Sequence, residues 1–297
     1  MRQRPAHQAK NRKRNRMTVA EADKRAARKS IAIFLIILTA ISAVGHFAIV
    51  GLAPVSIYVG ALMWCPAIAA FLTLKITGRK IASLPWRIGN WRDNIQSYLV
   101  PVAYVTISYA IAWSVGFGGA FDADTMSDWS EELGLPDSPG LAAALMVALF
   151  ATIQFAKSLG TIAGEEIGWR GFFIWELRKV LPFGGVALVS GVVWSAWHYP
   201  IVLKYGSGDP LFQVACFTLM ITSMSVIMAY YAFRSNSLWP AVFFHGAHNI
   251  YIQKIFSPLT TPNDQTRFWI DEYGLMVPLI VTLMAIYYWR RAKAEGM

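Results

Sequence analysis

Charged side chains are scarce in this chain of 297 residues. Only 15% of the residues are Asp, Glu, Lys or Arg and 56% are hydrophobic, a balance that excludes an ordinary soluble domain. Cysteine is scarcer still: Cys65 and Cys216 stand alone in apolar runs, which excludes a CxxC pair and a disulfide framework. Because apolar runs long enough to cross a bilayer recur along the chain, the sequence predicts an integral membrane protein.

Outside its first 30 residues the chain has almost no net charge. The net charge is +10, and residues 1–30 hold eleven Lys and Arg beside Glu21 and Asp23. We interpret residues 1–30 as a basic, disordered cytoplasmic tail that attracts anionic lipid, and residues 31–297 as the membrane domain. The tail has no interleaved aromatic residues and no recognition fold beside it, so no nucleic-acid partner is expected.

Eight apolar runs have the length of a membrane span, about 20 residues. They cover residues 31–50, 56–74, 97–117, 141–163, 185–203, 211–233, 238–255 and 274–289. The sequence therefore predicts an all-α, polytopic membrane protein, a bundle of about eight transmembrane helices. The first run has the alternative interpretation of a signal-peptide core, although it is longer than such cores usually are.

One long connection, residues 118–140, has no Lys or Arg and six acidic residues. The basic side chains fall in alternate connections: Lys75, Arg79, Lys80, Arg87 and Arg92 after the second run, Arg170, Arg178 and Lys179 after the fourth, Arg234 after the sixth, and Arg290, Arg291 and Lys293 after the eighth. Because Lys and Arg concentrate in cytoplasmic loops, we expect both termini on the cytoplasmic side of the cell (inner) membrane.

Few ionisable side chains remain at membrane depth. They are His46, Glu165, Glu166, Arg170, His198, His245 and His248, with Asn249 beside the last. Such groups are costly in hydrocarbon, so we expect them to face the bundle interior, to pair with one another and to mark a functional site.

The stretch AGEEIGWRGFF, residues 163–173, combines two carboxylates with one arginine. Glu166 and Arg170 are four residues apart on a helix, with the acid first, which is the favourable order for an ion pair on one face. Glu165 points about 100° away, so Arg170 does not easily serve both carboxylates. We interpret Glu166 and Arg170 as a structural ion pair and Glu165 as the carboxylate left to accept a proton.

Histidines mark two further apolar runs. His198 lies one turn after Trp194, and a lone histidine on an apolar helix is more often a packed core residue than a catalyst. His245 and Asn249 are four residues apart and share a helical face, while His248 lies about 60° from it. Taken with Glu165, these side chains on three runs predict one convergent site rather than separate packing residues.

Three motifs follow one another in the chain: Glu165-Glu166-x-x-x-Arg170, Trp194-x-x-x-His198 and His245-x-x-x-Asn249. In this order, on eight predicted spans, they resemble the motifs of the CAAX-protease and bacteriocin-processing (abortive-infection) family of intramembrane proteases. The resemblance covers a core of about residues 55–255. Trp194 is a conservative departure, since the family more often has Phe there.

The resemblance implies an intramembrane endopeptidase. Glu165 and His198 would hold and activate a water, and His245 and Asn249 would stabilise the oxyanion that forms on the peptide carbonyl. Glu166 and Arg170 would support this site by orienting Glu165 and fixing its helix, and His248 is a further supporting residue.

The cofactor has two interpretations. Members of the family are often labelled metalloproteases, and Glu165, His198 and His245 would supply three zinc ligands with water in the fourth position. The sequence has no HExxH motif, and no carboxylate that would orient either histidine is evident. Metal-free glutamate catalysis is therefore the favoured interpretation.

Functions of another class fit the same buried groups. The chain would then be a non-proteolytic scaffold or immunity factor, or a proton-coupled transporter that uses the acid and histidines as a relay. A transporter would more typically have repeated halves or broken helices, and neither is evident. For a protease, we expect a membrane protein or peptide as substrate, cleaved near the cytoplasmic face; the sequence identifies neither the substrate nor a need for prenylation.

Overall fold

The computed structural model describes residues 4–206 and 208–297, with side chains described from residue 20 onward. Helices make up most of the described chain, which confirms the predicted all-α class. The α-helices are α1 (Arg4–Phe47), α2 (Ser56–Ile76), α3 (Trp91–Ser114), α4 (Ala123–Glu132), α5 (Pro139–Leu149), α6 (Phe155–Glu166), α7 (Ile174–Arg178), α8 (Phe183–Tyr205), α9 (Pro210–Ser235), α10 (Trp239–Asn249), α11 (Thr266–Trp269) and α12 (Met276–Ala294).

Short π-helical stretches continue several of these helices. They are Ala48–Leu52 after α1, Phe150–Gln154 between α5 and α6, Ile167–Phe173 between α6 and α7, and Ile250–Phe256 after α10. A 3₁₀ turn covers Ile81–Ser83, and two short strands, β1 (Gly119–Ala120) and β2 (Thr260–Thr261), pair antiparallel. Because π-helix is rare and is often found at functional sites, its four occurrences direct attention to the residues beside it.

Six helical stretches of the described chain are long and apolar enough to cross a membrane, judged by length and composition. They are Ala20–Leu52, Ser56–Ile76, Trp91–Ser114, Pro139–Arg178, Phe183–Tyr205 and Pro210–Ser235. The predicted spans 238–255 and 274–289 are helical as well, but they do not reach the same apolar length. The first of them carries the polar site residues of α10, and the second ends in basic residues. The polytopic membrane architecture is confirmed. Among the described residues, six helical stretches have the length and composition of a membrane span, where eight were predicted.

The first helix reaches further toward the N-terminus than its apolar run. α1 begins at Arg4, so residues 4–30, predicted to be disordered, are helical and continue into the first span. Residues 20–30 contain no Gly or Pro and are rich in Ala, Lys and Arg, which favour helix. The tail prediction also concerns residues 1–3 and the side chains before residue 20. These lie outside the part of the chain that the structure describes.

The helices that carry the predicted site residues meet in the interior of the bundle. α6 and the following π-helix, Ile167–Phe173, contact α2, α8, α9 and α10, while α8 packs on α9 and α10 on α3. Trp169 and Trp194 are the largest fully buried side chains among them. The long stretch Pro139–Arg178 continues past Arg170, as it must if Glu165 is to lie inside the bundle and not at its edge.

Two glycines bring α2 against this long helix. A Cβ at Gly164 would lie 2.8 Å from the carbonyl oxygen of Met63 and 2.9 Å from Cγ of Trp64, and a Cβ at Gly168 would collide with Pro66. Small residues at such positions let two membrane helices approach closely. The contact places Leu62 and Met63 of α2 opposite Glu165.

Two connections form one end of the bundle, which we call the acidic end: residues 118–138 and residues 257–275. The β1–β2 pair joins them, and the backbone N–H of Asp122 donates to the carbonyl of Leu259 at 3.0 Å. The acidic end has one basic residue, Arg267. Its acidic residues are Asp122, Asp124, Asp128, Glu131, Glu132, Asp137, Asp264, Asp271 and Glu272. The charge difference between connections that the sequence indicates is therefore a difference between the two ends of the bundle.

Candidate active site

A cavity of about 240 Å³ lies where α6, α8 and α10 meet. Its wall contains the four side chains predicted to act on substrate: Glu165, His198, His245 and Asn249. His248 lines the same cavity, and Leu62 and Met63 of α2 close one side of it. The structure thus brings together groups that are up to 84 positions apart in the chain.

Two of the π-helical stretches begin at the site. Glu165 and Glu166 are the last residues of α6, directly before Ile167–Phe173, and Asn249 is the last residue of α10, directly before Ile250–Phe256. A π-helical turn inserts an extra residue and rotates the chain that follows it. Glu165 and Glu166, and likewise His245 to Asn249, therefore keep α-helical spacing. The residues that follow each group are rotated about the helix axis relative to a continuous α-helix.

Glu165 is buried, with 2% of its surface exposed, and it is anchored through one oxygen. The indole Nε1–H of Trp194 donates to its Oε2 at 3.0 Å. The ring of Trp194 also lies next to the rings of His198 and His245, with centroids 5.9 and 5.3 Å away. One tryptophan of α8 therefore contacts the predicted base and both histidines.

Glu166 bridges Arg170 and His245. Its Oε1 accepts from Nη1 of Arg170 at 3.2 Å, which confirms the predicted pair, and lies 2.9 Å from Nδ1 of His245. The expectation that neither histidine has an orienting carboxylate is wrong for His245. Spacing along one helix predicts the pair with Arg170, whereas the contact with His245 depends on how α6 and α10 are rotated toward each other.

Arg170 is held on three sides and does not reach the cavity wall. Besides Glu166, its Nη2 donates to the Oγ of Ser225 at 3.0 Å, and its guanidinium lies 3.9 Å from the ring centroid of Trp194. An acid, a hydroxyl and an aromatic face offset part of the cost of burying this arginine. Arg170 therefore lies behind Glu166 and Trp194, outside the cavity lining.

The ring of His198 has a defined orientation. Its Nδ1 lies 3.0 Å from the backbone carbonyl oxygen of Trp194, and a carbonyl only accepts, so Nδ1 carries the hydrogen. In the neutral ring Nε2 then has a lone pair. His198 is consequently arranged to accept a proton through Nε2.

His248 connects the site to a residue that sequence analysis missed. Its Nδ1 lies 2.6 Å from the hydroxyl of Tyr104, and its Nε2 is 3.6 Å from Oε1 of Glu272, beyond hydrogen-bond length. Burial, and then the charge of Asp271, raise the pKa of the Glu272 carboxyl to about 7. Because Glu272 lies in a connection outside the apolar runs, the search for charges at membrane depth passed over it; the signal for it is a pair of adjacent carboxylates just before an apolar run.

His46 is the one predicted interior histidine that the structure places elsewhere. It lines a second cavity of about 470 Å³ between α1 and α8, together with Ser42 and Trp197. Trp197 lines both cavities and donates its Nε1–H to the Oγ of Ser42 at 2.8 Å. His46 is therefore separated from the candidate active site by this indole.

The zinc alternative required Glu165, His198 and His245 to converge on one ion. Among the side chains that the structure describes, no three His, Cys, Asp or Glu groups lie close enough to hold a metal. Oε2 of Glu165 and Nδ1 of both histidines face protein partners, so Oε1 and the two Nε2 atoms are left for an ion, and these side chains do not converge on one point. The residues do not fit a zinc site, so we derive no step through a metal.

Comparison with known proteins assigns this region to a family. A family model described as Type II CAAX prenyl endopeptidase Rce1-like matches residues 138–251. Residues 138–251 are therefore similar to an Rce1-like domain, and we call this stretch the Rce1-like domain. The match confirms the resemblance seen in the motifs, and the Rce1-like domain contains all the predicted site residues from Glu165 to Asn249, whereas Glu272 lies outside it.

A curated relative supports the same assignment. The CAAX prenyl protease 2 of Methanococcus maripaludis is 24% identical over 162 residues, which are 51% of this chain. The aligned part is 54% of the relative, so the chain spans about half the length of the curated protein that it matches. With its apolar helices, the Rce1-like domain identifies a multi-pass membrane protein.

Proposed function

We propose that this protein is an intramembrane endopeptidase that hydrolyses a peptide bond of a membrane-associated protein or peptide. One observation carries the proposal: a buried glutamate, Glu165, shares a cavity within the bundle with two histidines and an asparagine from two other helices. The Rce1-like domain and the curated CAAX prenyl protease 2 support it. No prenylated substrate is assumed for this chain.

Glu165 and His198 are the proposed groups that activate water. Trp194 holds Oε2 of Glu165, which leaves Oε1 to accept a proton from a water in the cavity. His198 is oriented with the lone pair of Nε2 available to share that proton. General bases of this kind accelerate a reaction about 10²–10⁴-fold.

His245 and Asn249 are the proposed oxyanion donors. Since Nδ1 of His245 faces Glu166, Nε2 is the ring nitrogen available on the cavity side. A proton on Nε2 gives the ring a positive charge that the Glu166 carboxylate compensates. The amide of Asn249, one helical turn away on the same face, supplies a second donor. Donors held in advance toward a developing oxyanion contribute about 10²–10³-fold each.

The reaction then proceeds in two steps. Glu165 takes a proton from water, and the water oxygen forms a bond to the peptide carbonyl carbon, giving a tetrahedral oxyanion. The oxyanion collapses, the C–N bond breaks, and Glu165 returns its proton to the departing nitrogen. The products are a carboxylic acid and an amine, and the enzyme regains its starting protonation.

The setting of the reaction is part of the proposal. We propose a location in the cell (inner) membrane with both termini cytoplasmic, because the basic connections lie together at one end of the bundle. Anionic lipid would bind the basic residues 1–30. Neither nucleic acid nor a cofactor is part of the proposal.

The test compares strains that express the wild-type protein or the variants Glu165→Gln and His198→Ala in place of the native copy. We expect uncleaved precursors to accumulate in the membrane proteome of both variants, as in a null strain. Exposed Glu131→Gln is the matched control, since it removes a carboxylate far from the cavity. Full processing by both site variants, at normal protein levels, would instead favour a scaffold or immunity factor.

A further inference from the structure

Apart from its histidines and one tyrosine, the titratable residues that line the active-site cavity are two glutamates. Among the described residues, Glu165 and Glu272 line the cavity, and no Lys or Arg does. Arg170 is turned away from it, against Glu166 and Trp194. Glu165 is assigned to water in the proposed function, which leaves Glu272 without a role in the hydrolysis.

Glu272 is positioned on the cavity wall by contacts from two elements. Its Oε1 accepts from Nε2 of Gln253 at 2.9 Å, and its backbone N–H donates to Oδ1 of Asp271 at 2.8 Å. Its side chain keeps 15% of its surface exposed, in contrast to the closed pair of Glu166 and Arg170. The carboxylate is thus held in place and remains accessible to a group that enters the cavity.

Two aromatic rings line the same cavity as this carboxylate. Tyr273 and Phe217 also line the cavity, with ring centroids 6.0 Å apart. Aromatic faces attract cations, and the attraction is greater where water is excluded. A carboxylate that shares a cavity with two rings favours a cationic group such as the ammonium of lysine or the guanidinium of arginine.

The cavity also extends toward the acidic end of the bundle. Val59 lies in the first turn of α2, Ile201 in the last turns of α8, and Glu272 in the acidic-end connection 257–275; all three line the cavity. This differs from the expected cleavage near the cytoplasmic face, because the acidic end is opposite the basic connections. Charges of one sign around a cleft raise the local concentration of an oppositely charged substrate.

We propose that the site takes a substrate with a Lys or Arg side chain near the scissile bond, and that Glu272, with the ring of Tyr273, binds this cation. The proposal rests on the proposed endopeptidase function and adds a substrate class to it. Glu272 is a specificity residue in this scheme and takes no part in bond cleavage.

The first test uses purified protein in phosphatidylcholine nanodiscs. The probes are synthetic single-span Leu/Ala peptides. Each peptide carries Lys, Gln or Glu at a single position, and the series moves that position along the segment that enters the cavity. At one or two positions we expect kcat/KM for the Lys peptide to exceed that for the Gln peptide about tenfold, the effect of one charged hydrogen bond. Equal rates for Lys and Gln peptides at every position would overturn the proposal.

Variants of Glu272 separate recognition from folding and chemistry. Glu272→Gln is expected to lose the preference for Lys, so that its kcat/KM values for the Lys and Gln peptides become equal. Glu272→Lys is expected to prefer the Glu peptide. The matched control, Glu132→Gln, removes an exposed carboxylate at the same end of the bundle that does not line the cavity, and it should keep the preference. A Glu272→Gln variant that still prefers Lys contradicts the proposal.

A binding measurement makes the inference independent of turnover. Labelled Lys and Gln peptides are titrated against Glu165→Gln protein and against the double variant with Glu272→Gln. We expect the Glu165→Gln protein to bind the Lys peptide about tenfold more tightly than the Gln peptide. The double variant should bind the two peptides equally. If that difference is found while wild-type protein cleaves nothing, the endopeptidase function fails and the cation site stands. If cleavage depends on Glu165 but the two peptides bind equally, the endopeptidase function stands and the cation site fails.

Discussion

The indole Nε1–H of Trp194 donates to Oε2 of Glu165 at 3.0 Å, across the contact between α8 and α6. Trp194 is also the ring on which the guanidinium of Arg170 lies. Phenylalanine, more frequent at this position in the resembling family, would keep the ring and lose the donor. What looks like a conservative aromatic change is therefore a gained hydrogen bond to the proposed base.

For this reason, Trp194→Phe should reduce catalysis while preserving the fold. Loss of a hydrogen bond to a charged group costs about 1.5–3 kcal/mol, so we expect kcat to fall about 10- to 100-fold with little change in KM. Steady-state cleavage of a model peptide measures both constants. Trp197→Phe is the matched control, since it removes an indole donor to Ser42 from the same cavity wall. Equal losses in the two variants would mean that the Glu165 contact has no special role.

A second prediction concerns the stability of the bridge at Glu166. Glu166→Gln leaves the buried Arg170 without its acid, and removing one partner of a buried ion pair costs about 3–5 kcal/mol. Thermal unfolding in detergent should show a large drop in the midpoint. Glu176→Gln is the comparison, because its partners Arg79 and Lys179 remain partly exposed and the loss should be smaller.

Because Glu166 also contacts His245, the same variant should lose activity even under conditions where it is folded. Activity at a temperature well below the midpoint separates the two effects. A folded Glu166→Gln protein with wild-type kcat would show that the His245 contact is structural alone.

The third prediction follows from the donor atoms of the site. Among the described side chains, Glu165, His198 and His245 do not come close enough together to hold one metal ion. We expect cleavage to survive exhaustive chelation, and elemental analysis of the active protein to find no stoichiometric zinc. Zinc in a one-to-one ratio, with activity lost on removal and restored on addition, would require a rearranged site.

The fourth prediction is a pH dependence of substrate choice. The pKa of Glu272 is about 7, so its carboxylate is mostly charged at pH 8 and mostly neutral at pH 6. The preference for a Lys peptide over a Gln peptide should thus be full above pH 7 and should decline as the pH falls through 7. The titratable groups that face Glu272 are Asp271 and Tyr273 beside it, His245 and His248 of α10, and Glu165 and His198 across the cavity.

The ratio of kcat/KM for the two peptides, measured from pH 5.5 to 8.5, isolates this effect. Both peptides use the same catalytic groups, so titration of those groups cancels in the ratio. In Glu272→Gln the ratio should stay flat. A wild-type ratio that is constant across this range contradicts the role given to Glu272.

Helical periodicity predicts those features of the site that lie along one helix. The spacing of Glu166 and Arg170 predicts their ion pair, and His245 and Asn249 do line the same cavity. The apolar runs likewise predict α2, α8 and α9 to within a few residues, because burial in a membrane requires a fixed apolar length, whereas α1 and the helical stretch Pro139–Arg178 extend well beyond their runs.

Contacts between elements could not be predicted in this way. The bond from His245 to Glu166 and the bond from Trp194 to Glu165 depend on the rotation and depth of separate helices, which a single sequence does not specify. The π-helical stretches were missed because they carry no distinct residue pattern. Glu272 was missed because it approaches from a connection. His46, predicted only to be an interior group, lines a different cavity, and depth alone does not tell one interior cavity from another.

The close contact of α2 with the long helix has a consequence for the width of the active site. At Gly164 and Gly168 a hydrogen atom occupies the place where any other residue would put a methyl group or more. Leu62 and Met63, on the α2 side of this contact, form the wall that faces Glu165. Two hydrogen atoms therefore set how wide a peptide backbone the cavity admits, and a change in this width would alter turnover without touching any group that performs the chemistry.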